Sequence, residues 1–393
     1  MHLFRSASKR TFPAILGFRC KLGVSTVAIA GMFAIAPSVF AASRSAAALN
    51  PINVRAISMK TSRVGWAVTQ TSIVRTVDGG RRWADVSPPI PLYTASSPYQ
   101  HLNTVWDFLN TRSAWVVATK NHTHQVECSY THDGGARWKT FTSTILPVNR
   151  TFDRLYEADF LNSRDGWLVL GPTGVAGVGQ LYATRNGGQS WHHLVPNTPL
   201  VGVVSFNTAN TGRMLISEPD NGRGPLFAIE STQNGGQDWT PSTIKSMNGL
   251  ELVSSVGPGF GMTTKGAHGL LSVSSVGTAR NPYVAVLRSA DGGQRWVARS
   301  PIVPVNPQDF WSAQTIGSQV AWVAASGRLW QSTNGARSWS YRSSDAFLGH
   351  ATGLDFVNAQ VGWVWKTTAI GTHLWMTATG GRRWTTWSFH VTP

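Results

Sequence analysis

The stretch Thr184-Arg185-Asn186-Gly187-Gly188-Gln189-Ser190-Trp191 decides the fold, because six other segments repeat its pattern without a gap. All seven copies have Ser or Thr first, Gly fourth and Trp eighth, and successive copies begin 43 to 57 residues apart. The third residue is Asp or Asn except for Thr379, and the fifth is Gly except for Ala336. Such self-similarity indicates a repeat architecture. The other copies of this turn motif are Thr76 to Trp83, Thr131 to Trp138, Thr232 to Trp239, Ser289 to Trp296, Ser332 to Trp339 and Thr377 to Trp384.

The turn motif has the chemistry of a tight hairpin. An Asp or Asn side chain can accept a backbone N–H two residues further on, and Gly-Gly supplies the positive φ angles that such a turn needs. The leading Ser or Thr ends one strand, and the Trp begins the next with its ring between neighbouring sheets. We therefore predict that the third-position residues are structural rather than catalytic. They are Asp78, Asp133, Asn186, Asn234, Asp291 and Asn334.

A second pattern precedes each turn motif: a hydrophobic strand, a polar bend, and then a Gly or Ala followed by Trp at the head of an apolar strand. Gly65-Trp66, Ala114-Trp115, Gly166-Trp167, Ala321-Trp322 and Gly362-Trp363 match, and we expect Gly212-Arg213 and Gly261-Met262 to hold the same position without Trp. Asp107, Asp159 and Asp355 share one position in the first strand, which predicts a structural role. With the strands on either side of the turn motif, each unit has four short strands.

Seven units of four antiparallel strands predict an all-β, seven-bladed β-propeller over residues 51–393. Closure of the ring protects the edges of the sheets. Two smaller units in tandem are the alternative, but no linker rich in Pro, Ser or charge divides the repeats. The approximate blades are 51–95, 96–150, 151–198, 199–245, 246–303, 304–345 and 346–393, behind a linker at 42–50.

The first 41 residues have the composition of an export signal. A cationic head that ends at Lys21 is followed by an uncharged, mostly apolar stretch from Leu22 to Phe40. Val39-Phe40-Ala41 supplies small residues where a signal peptidase cuts, which predicts cleavage after Ala41. An uncleaved anchor is the alternative, because the apolar stretch approaches the length of a membrane helix. Both interpretations place the rest of the chain outside, at the cell surface or in a periplasmic or lumenal space.

The charge of the exported part favours anionic partners. Removing the five basic residues of the signal from the total of 34 leaves 29 against 18 acidic residues, a net charge of +11. We expect an acidic protein segment, a membrane complex or a cell-wall or glycan polymer as the partner, and export argues against nucleic acid. Cys128 is the one cysteine left after cleavage, so no disulfide can form within the chain, and no cofactor is expected.

The combination of Phe-x-Asn or a similar bend, Gly-Trp and Thr-x-Asp-Gly-Gly-x-x-Trp resembles the photosystem II assembly and stability factor family. The turn motif is also similar to the Asp-box of sialidase-type (BNR) and sortilin-type propellers. The resemblance covers residues 51–393. It implies a non-catalytic protein that assists a membrane complex, although a fold specifies function poorly. Photosystem binding is not carried over, because nothing in the sequence indicates a photosynthetic host.

A sialidase or another glycosidase is the alternative function. Glycoside hydrolysis needs a placed pair of acids, or a Tyr nucleophile with a Glu, together with an acid for the leaving group. Tyr156-Glu157 is the one adjacent Tyr–Glu pair, but neighbours on a strand point to opposite faces. The early Phe/Tyr-Arg-Ile-Pro motif of sialidases is absent after residue 41. We therefore expect no catalytic residue.

A metal site is a weaker hypothesis, based on His122 and His124 with Glu127 and Cys128 close behind. Imidazoles two residues apart on an extended segment can share a face, and a thiolate suits Zn or Cu. A polar loop in the second unit is the simpler interpretation.

Binding has two candidate faces. The loops between second and third strands vary in length, with insertions expected at 119–127, 171–179, 217–226 and 263–282, and variable loops often carry binding. The opposite face carries arginines in the turn motifs, which can hold an acidic partner or act only in solubility. They are Arg81, Arg82, Arg137, Arg295, Arg337, Arg382 and Arg383.

Overall fold

Seven sheets of antiparallel strands follow one another along the chain, as the repeats predict. The structure is a computed structural model that describes residues 52–90, 92, 104–120, 125–145, 154–171, 180–195, 200–217, 227–245, 262–265, 268–275, 283–304 and 311–392. The predicted export signal at 1–41, the linker at 42–50 and the pair His122 and His124 lie outside the described residues. Among the described residues, no helix is both long enough and apolar enough to cross a membrane.

The first four blades each contribute four consecutive strands, and in each blade a turn motif joins the third strand to the fourth. The strands of these blades are β1 (Val54–Met59), β2 (Gly65–Thr69), β3 (Ile73–Thr76), β4 (Trp83–Asp85), β5 (Thr104–Phe108), β6 (Ala114–Lys120), β7 (Gln125–Thr131), β8 (Lys139–Thr144), β9 (Arg154–Phe160), β10 (Gly166–Gly171), β11 (Gln180–Thr184), β12 (His192–Val195), β13 (Leu200–Phe206), β14 (Gly212–Ser217), β15 (Phe227–Thr232) and β16 (Thr240–Pro241).

The last three blades follow the same plan, and a short 3₁₀ helix lies at Ala346–His350. Two extra strands, β17 and β30, each follow the fourth strand of one blade. The strands are β17 (Thr243–Lys245), β18 (Met262–Lys265), β19 (His268–Ser275), β20 (Tyr283–Ser289), β21 (Arg295–Pro304), β22 (Trp311–Ile316), β23 (Val320–Ala325), β24 (Arg328–Ser332), β25 (Ser340–Ser344), β26 (Gly353–Phe356), β27 (Gly362–Thr368), β28 (Gly371–Thr377), β29 (Thr385–Ser388) and β30 (Val391–Thr392).

The first strand of each blade lies innermost, and the ring closes between blades seven and one. First strands contact one another between blades two and three, three and four, five and six, six and seven, and seven and one. At the outer edge, β30 pairs in parallel with β4 of blade one. The same device joins blades four and five, because β17 leaves blade four and pairs in parallel with β21. Each extra strand therefore ties one blade to the next.

Aromatic rings fill the boundary between neighbouring blades. The residue after Gly or Ala at the head of a second strand, which we call the strand-two residue, is a buried Trp in five blades. In four of these five blades its ring stacks on a Phe at the end of the first strand of the next blade. The ring-centroid distances are 5.3 Å for Trp66–Phe108, 4.4 Å for Trp115–Phe160, 3.5 Å for Trp167–Phe206 and 3.8 Å for Trp322–Phe356.

The glycine before the strand-two residue is required by this packing. A Cβ on Gly166 would lie 2.5 Å from the ring of Phe160, which crosses it on the paired first strand. Gly362 meets Phe356 and Gly212 meets Phe206 in the same way. The Gly of each Gly-Trp pair therefore leaves room for the Phe ring of its own first strand. In blade three, that ring also stacks on the Trp of the preceding blade.

The prediction for blade five is wrong in its register. Gly269 pairs with Ser289, the first residue of the turn motif, as Gly166 pairs with Thr184 in blade three. Leu270 is therefore the strand-two residue of blade five, and Gly261-Met262 is not. The stretch 263–282 is not an insertion between second and third strands, because it contains most of β18 and all of β19. Sequence alone missed this because Leu replaces the Trp that marks the position elsewhere.

Candidate functional site: the turn face

The turn motif forms the same hydrogen-bonded loop in every blade. In blade three, the hydroxyl of Thr184 donates to Asn186 Oδ1 and accepts from the amide of Gly188, both at 2.9 Å. Asn186 Oδ1 also accepts from the amide of Ser190 at 3.0 Å. The side chain therefore bonds four residues ahead, whereas we predicted two. Gly187 and Gly188 have φ of +74° and +93°, which glycine adopts without strain.

In the other six blades, the third-position oxygen accepts the amide of the seventh residue at 2.9 to 3.0 Å. Asp78, Asp133, Asn234, Asp291 and Asn334 supply that oxygen in five of them. Thr379 Oγ1 supplies it in blade seven. Because these oxygen atoms stabilise the turn, the third-position aspartates have a structural role.

The bend between first and second strands lies against the turn motif of its own blade. The amide of the first motif glycine donates to a bend carbonyl, as Gly79 does to Arg63, Gly134 to Arg112 and Gly187 to Arg164, each at 2.8 Å. Both connections therefore share one face of the propeller, which we call the turn face. The loops between second and third strands form the opposite face, the loop face.

All seven arginines predicted from the turn motif lie exposed on the turn face. They are Arg81, Arg82, Arg137, Arg295, Arg337, Arg382 and Arg383. Within their own turns, Arg82 Nε lies 3.3 Å from Asp78 Oδ2, and Arg337 Nη1 donates to the carbonyl of Asn334 at 3.4 Å. The bends add Arg63, Arg112 and Arg164, which are also exposed. Sequence reasoning missed these three, although antiparallel order alone puts the first and third connections of a blade at one end.

Positive charges approach one another across blade boundaries on this face. Burial, and then the charge of Arg382, lowers the pKa of Arg342. Burial and the charge of Arg112 do the same to the pKa of Arg75, whose guanidinium donates to the carbonyl of Thr111 at 2.9 Å. Arg75 also lies over the ring of Trp66, with Cζ 5.6 Å from its centroid. The basic surface thus continues from one blade to the next.

Four carboxyl groups on first strands accept backbone amides of the next blade. Asp107 accepts the amide of Phe160 at 2.7 Å, and Asp159 accepts that of Phe206 at 2.8 Å, each from the next blade. Asp355 accepts the amide of Met59 across the closing seam, and Gln314 makes the equivalent bond in blade six. Glu157 accepts the amide of Val204 at 2.7 Å. These side chains bridge each blade to its successor.

Burial raises the pKa values of these carboxyl groups. The pKa of Asp107 and of Asp355 is raised to about 6, and that of Asp159 to about 7. Glu157 has a pKa well above its ordinary value, through burial and then the charge of Asp159. The half-buried Lys60 has a lowered pKa because burial outweighs the attraction of Asp107 and Asp355. Perturbed acids mark functional sites in many proteins, but these bond to the backbone of the ring.

The metal hypothesis gains no ligand from the described part of the chain. Cys128 lies in β7 within the core between blades two and three, and burial raises the pKa of its thiol to about 12. The sulfur is fully buried among apolar side chains of that core and is not open to a ligand set in the loop before β7. Among the described residues, no three His, Cys, Asp or Glu side chains are grouped so as to hold a metal ion.

The chain matches no family model and no curated protein sequence. Among solved structures it is similar to the GH74 xyloglucanase from Xanthomonas campestris, with 13% identity, a TM-score of 0.52 and coverage of 87% of this chain and 55% of that one. A prolyl endopeptidase structure matches with 9% identity and a TM-score of 0.51, over 87% of this chain and 49% of that one. YCF48 bound to D1 peptide matches with 15% identity and a TM-score of 0.49, over 84% and 91%.

These likenesses show the propeller fold alone. The fold therefore does not decide whether this chain is an enzyme.

Proposed function

We propose that this protein is an exported, non-enzymatic propeller that holds an acidic segment of a partner protein on its turn face. The segment binds where blades seven and one meet, at Arg81, Arg82, Arg382 and Arg383. These two blades adjoin, because the indole of Trp363 in blade seven donates to the carbonyl of Gly79 in blade one at 3.0 Å. Bidentate guanidinium groups suit the carboxylates of such a segment.

The observation that carries the proposal is the turn of blade seven. Its third residue is Thr379, whose hydroxyl accepts the amide of Arg383 at 2.9 Å and so replaces a carboxylate. The motif Thr377 to Trp384 therefore contains two arginines and no acid. In blade one, by contrast, Asp78 neutralises part of the charge of Arg82. The four arginines where blades seven and one meet, which we call the seam sector, therefore carry more positive charge than the fold itself requires.

The seam sector extends to both sides. Arg342 of blade six lies close enough to Arg382 to have its pKa lowered, and Arg75 of blade one stands in the same relation to Arg112 of blade two. Two guanidinium groups close enough to lower one another's pKa repel, which costs free energy, although salt screens exposed charges that are more than about 8 Å apart. An anionic partner would offset that cost.

The partner segment carries an apolar residue beside its acids. Val77, the second residue of the blade-one motif, is 55% exposed on the turn face. It adjoins the Arg82–Asp78 pair in the same turn. A short acidic stretch with one aliphatic or aromatic side chain would cover Val77 while its carboxylates reach the arginines.

The non-enzymatic part of the proposal is supported by the structural role of the four first-strand carboxyl groups. A glycosidase needs two carboxyl groups that flank a substrate bond, roughly 5 to 9.5 Å apart and open to it. Asp107, Asp159 and Asp355 instead accept backbone amides of the next blade, and Glu157 does the same. Tyr156 packs against the core between blades three and four rather than beside an open acid.

The double variant Arg382→Gln/Arg383→Gln tests this proposal. The probe is a fluorescent peptide of Glu and Asp with one Leu, followed by binding to native membranes. We expect the affinity for the peptide to fall about three- to tenfold at low salt, since each exposed ion pair contributes up to about 1 kcal/mol. The difference should shrink as salt is added.

The matched control is Arg328→Gln/Lys366→Gln, which removes two charges from blades six and seven outside the turn motifs. It should bind the peptide as the parent protein does, and both variants should keep the parent melting temperature. An equal loss of peptide affinity in both double variants would show that only the net charge matters. Unchanged affinity in Arg382→Gln/Arg383→Gln would refute docking where blades seven and one meet. Hydrolysis of sialosides or wall glycans by the parent would end the non-enzymatic part.

A further inference from the structure

The third and seventh residues of the turn motif match each other in every blade but one. Three turns have Asp at the third position and Arg at the seventh, and these are Asp78 with Arg82, Asp133 with Arg137, and Asp291 with Arg295. Three turns have Asn at the third position and a hydrogen-bond acceptor at the seventh, and these are Asn186 with Ser190, Asn234 with Asp238, and Asn334 with Ser338. Blade seven combines Thr379 with Arg383 and follows neither rule.

In the asparagine turns, the third side chain bonds directly to the seventh. The amide nitrogen Nδ2 of the asparagine donates in each case, because the amide oxygen already accepts the backbone N–H of the seventh residue. The distances are 2.9 Å from Asn186 to Ser190, 2.7 Å from Asn234 to Asp238, and 2.8 Å from Asn334 to Ser338.

In the aspartate turns, the third side chain is an anion and the seventh is a cation. Arg82 Nε lies 3.3 Å from Asp78 Oδ2, so this turn forms its own ion pair. The pKa of Asp133 is lowered first by the backbone amide of Arg137 and also by the charge of that arginine. A matched turn thus provides electrostatic or hydrogen-bond partners for its seventh side chain.

Arg383 has no such partner in its own turn. Its amide donates to Thr379 Oγ1 at 2.9 Å, so the backbone of the turn closes as in the other blades. The threonine hydroxyl carries no charge, and within the described part of the chain the guanidinium of Arg383 forms neither a hydrogen bond nor an ion pair. Thr379 and Arg383 are both exposed. The turn of blade seven therefore presents a seventh-position arginine whose charge is not matched at the third position.

We propose that Thr379 determines the specificity of the seam sector, by leaving the guanidinium of Arg383 to bind a carboxylate of the partner segment. The partner's carboxylate stands beside Arg383 as Asp78 stands beside Arg82. A planar guanidinium suits a carboxylate, and the aspartate turns show that this geometry accommodates one. The inference rests on the proposed docking of an acidic segment and names the contact that selects it.

The variant Thr379→Asp tests the inference, because it gives blade seven the Asp and Arg of blades one, two and five. The melting temperature should not fall, since the same combination closes those turns. The new carboxylate should pair with Arg383 and weaken the fluorescent peptide of Glu and Asp with one Leu by about two- to fivefold, the effect of one exposed ion pair. Arg383→Gln should weaken the peptide by a similar factor in the parent, but by little in Thr379→Asp.

Ala378→Asp is the matched control, because it adds the same charge at the exposed second position of the same turn. It should weaken the peptide by less than about twofold at physiological ionic strength, where salt screens charges that are more than about 8 Å apart. The NMR signal of the Arg383 Nε–H group gives a readout without peptide. It should shift in Thr379→Asp and stay in place in Ala378→Asp.

The inference and the proposed function fail in different ways. Equal losses of affinity in Thr379→Asp and Ala378→Asp, or an Arg383→Gln effect that persists in full in Thr379→Asp, would overturn the role of Thr379 and leave docking at the seam sector intact. If the docking itself is wrong, Arg382→Gln/Arg383→Gln binds the peptide as the parent does, and the inference falls with it.

Discussion

The ring of Phe206 in blade four lies parallel to that of Trp167 in blade three, with interplanar angle 2° and centroids 3.5 Å apart. The indole of Trp167 also donates to the carbonyl of Gly235, in the turn motif of blade four, at 3.2 Å. Trp167 therefore contacts both the first strand and the turn of the next blade. The amide of Phe206 is bound in turn by Asp159 of blade three. Blade three thus contacts blade four through the ring and the indole N–H of Trp167 and through the carboxyl group of Asp159.

Replacing Trp167 with Ala should lower the free energy of unfolding by about 3–5 kcal/mol, as for other buried aromatic residues. Trp167 is fully buried, so the change leaves a cavity and removes the stacking on Phe206. Urea denaturation followed by circular dichroism measures the loss. The exposed Tyr341→Ala serves as the control, with an expected loss under about 0.5 kcal/mol. A loss under about 1 kcal/mol for Trp167→Ala would contradict the buried position.

Gly166→Ala should destabilise the protein by about 1–3 kcal/mol through overpacking. Its Cβ would lie 2.5 Å from the ring of Phe160, which must move. Blade two shows the consequence of an alanine at this position, because Ala114 accompanies the longest of the four stacking distances, 5.3 Å for Trp66–Phe108. Gly349→Ala is the matched control, since its nearest neighbour lies 3.6 Å away. Equal melting temperatures for the two variants would exclude this packing role of Gly166.

The fold followed from the sequence because the propeller repeats one local solution seven times. A turn motif needs Ser or Thr, then Asp or Asn, then Gly at fixed positions, and these residue types are visible without a structure. The shared Asp107, Asp159 and Asp355 predicted a structural position, and each does bridge to the next blade. The error arose in blade five, where Leu270 replaces the marker Trp.

The parts of the candidate sites that sequence did not predict depend on long-range contacts. Arg63 reaches the turn face because its carbonyl accepts the amide of Gly79, and that pairing joins two different connections of a blade. At the closing seam, Thr372 bonds to the backbone of Ile52 and Val54, which lie 320 and 318 residues earlier in the chain. The contacts of Thr372 arise only when the ring closes, whereas the position of Arg63 follows from the antiparallel order of its own blade.

Stability should fall as pH rises from about 4 to about 7. The folded pKa of Asp107 and Asp355 is about 6 and that of Asp159 about 7, all above the ordinary 3.8. Between the two values the folded state binds more protons than the unfolded state, so raising the pH favours unfolding. The contribution of these groups is thus complete below the unfolded pKa and is lost as pH passes through the folded one.

Melting temperatures from pH 4.5 to 8 measure this effect, with Asp159→Asn as the informative variant. Asparagine keeps an acceptor for the amide of Phe206 but cannot ionise, so its curve should be flatter than that of the parent above pH 5. Asp238→Asn is the matched control, because Asp238 is exposed on the turn of blade four. A parent curve that rises from pH 5 to 7.5, or the same slope in Asp159→Asn, would show that these carboxyl groups are ionised in the folded state.

At the boundary between blades four and five the strand-two residue is a charged one, Arg213. Its side chain is 4% exposed, and Nε and Nη1 have no hydrogen-bond partner. Burial lowers the pKa of Arg213 against the attraction of Asp291. Because a buried charge with two unpaired donors is costly, Arg213→Leu should stabilise the protein by about 1–4 kcal/mol. Leu270 shows that the position accepts leucine in the next blade.

The control for Arg213→Leu is Arg185→Leu, which removes an arginine that has an acidic partner. Arg185 Nη1 lies 3.2 Å from Asp165, and its guanidinium lies over the ring of Trp167. Removing Arg185 breaks an existing pair, so its melting temperature should fall or stay unchanged while that of Arg213→Leu rises. Hydrogen exchange should show the same gain as slower exchange in β14 and β20, on the two sides of the boundary. If Arg213→Leu is destabilised as much as Arg185→Leu, Arg213 is paired in solution, and Asp291 is the acid that its guanidinium would reach.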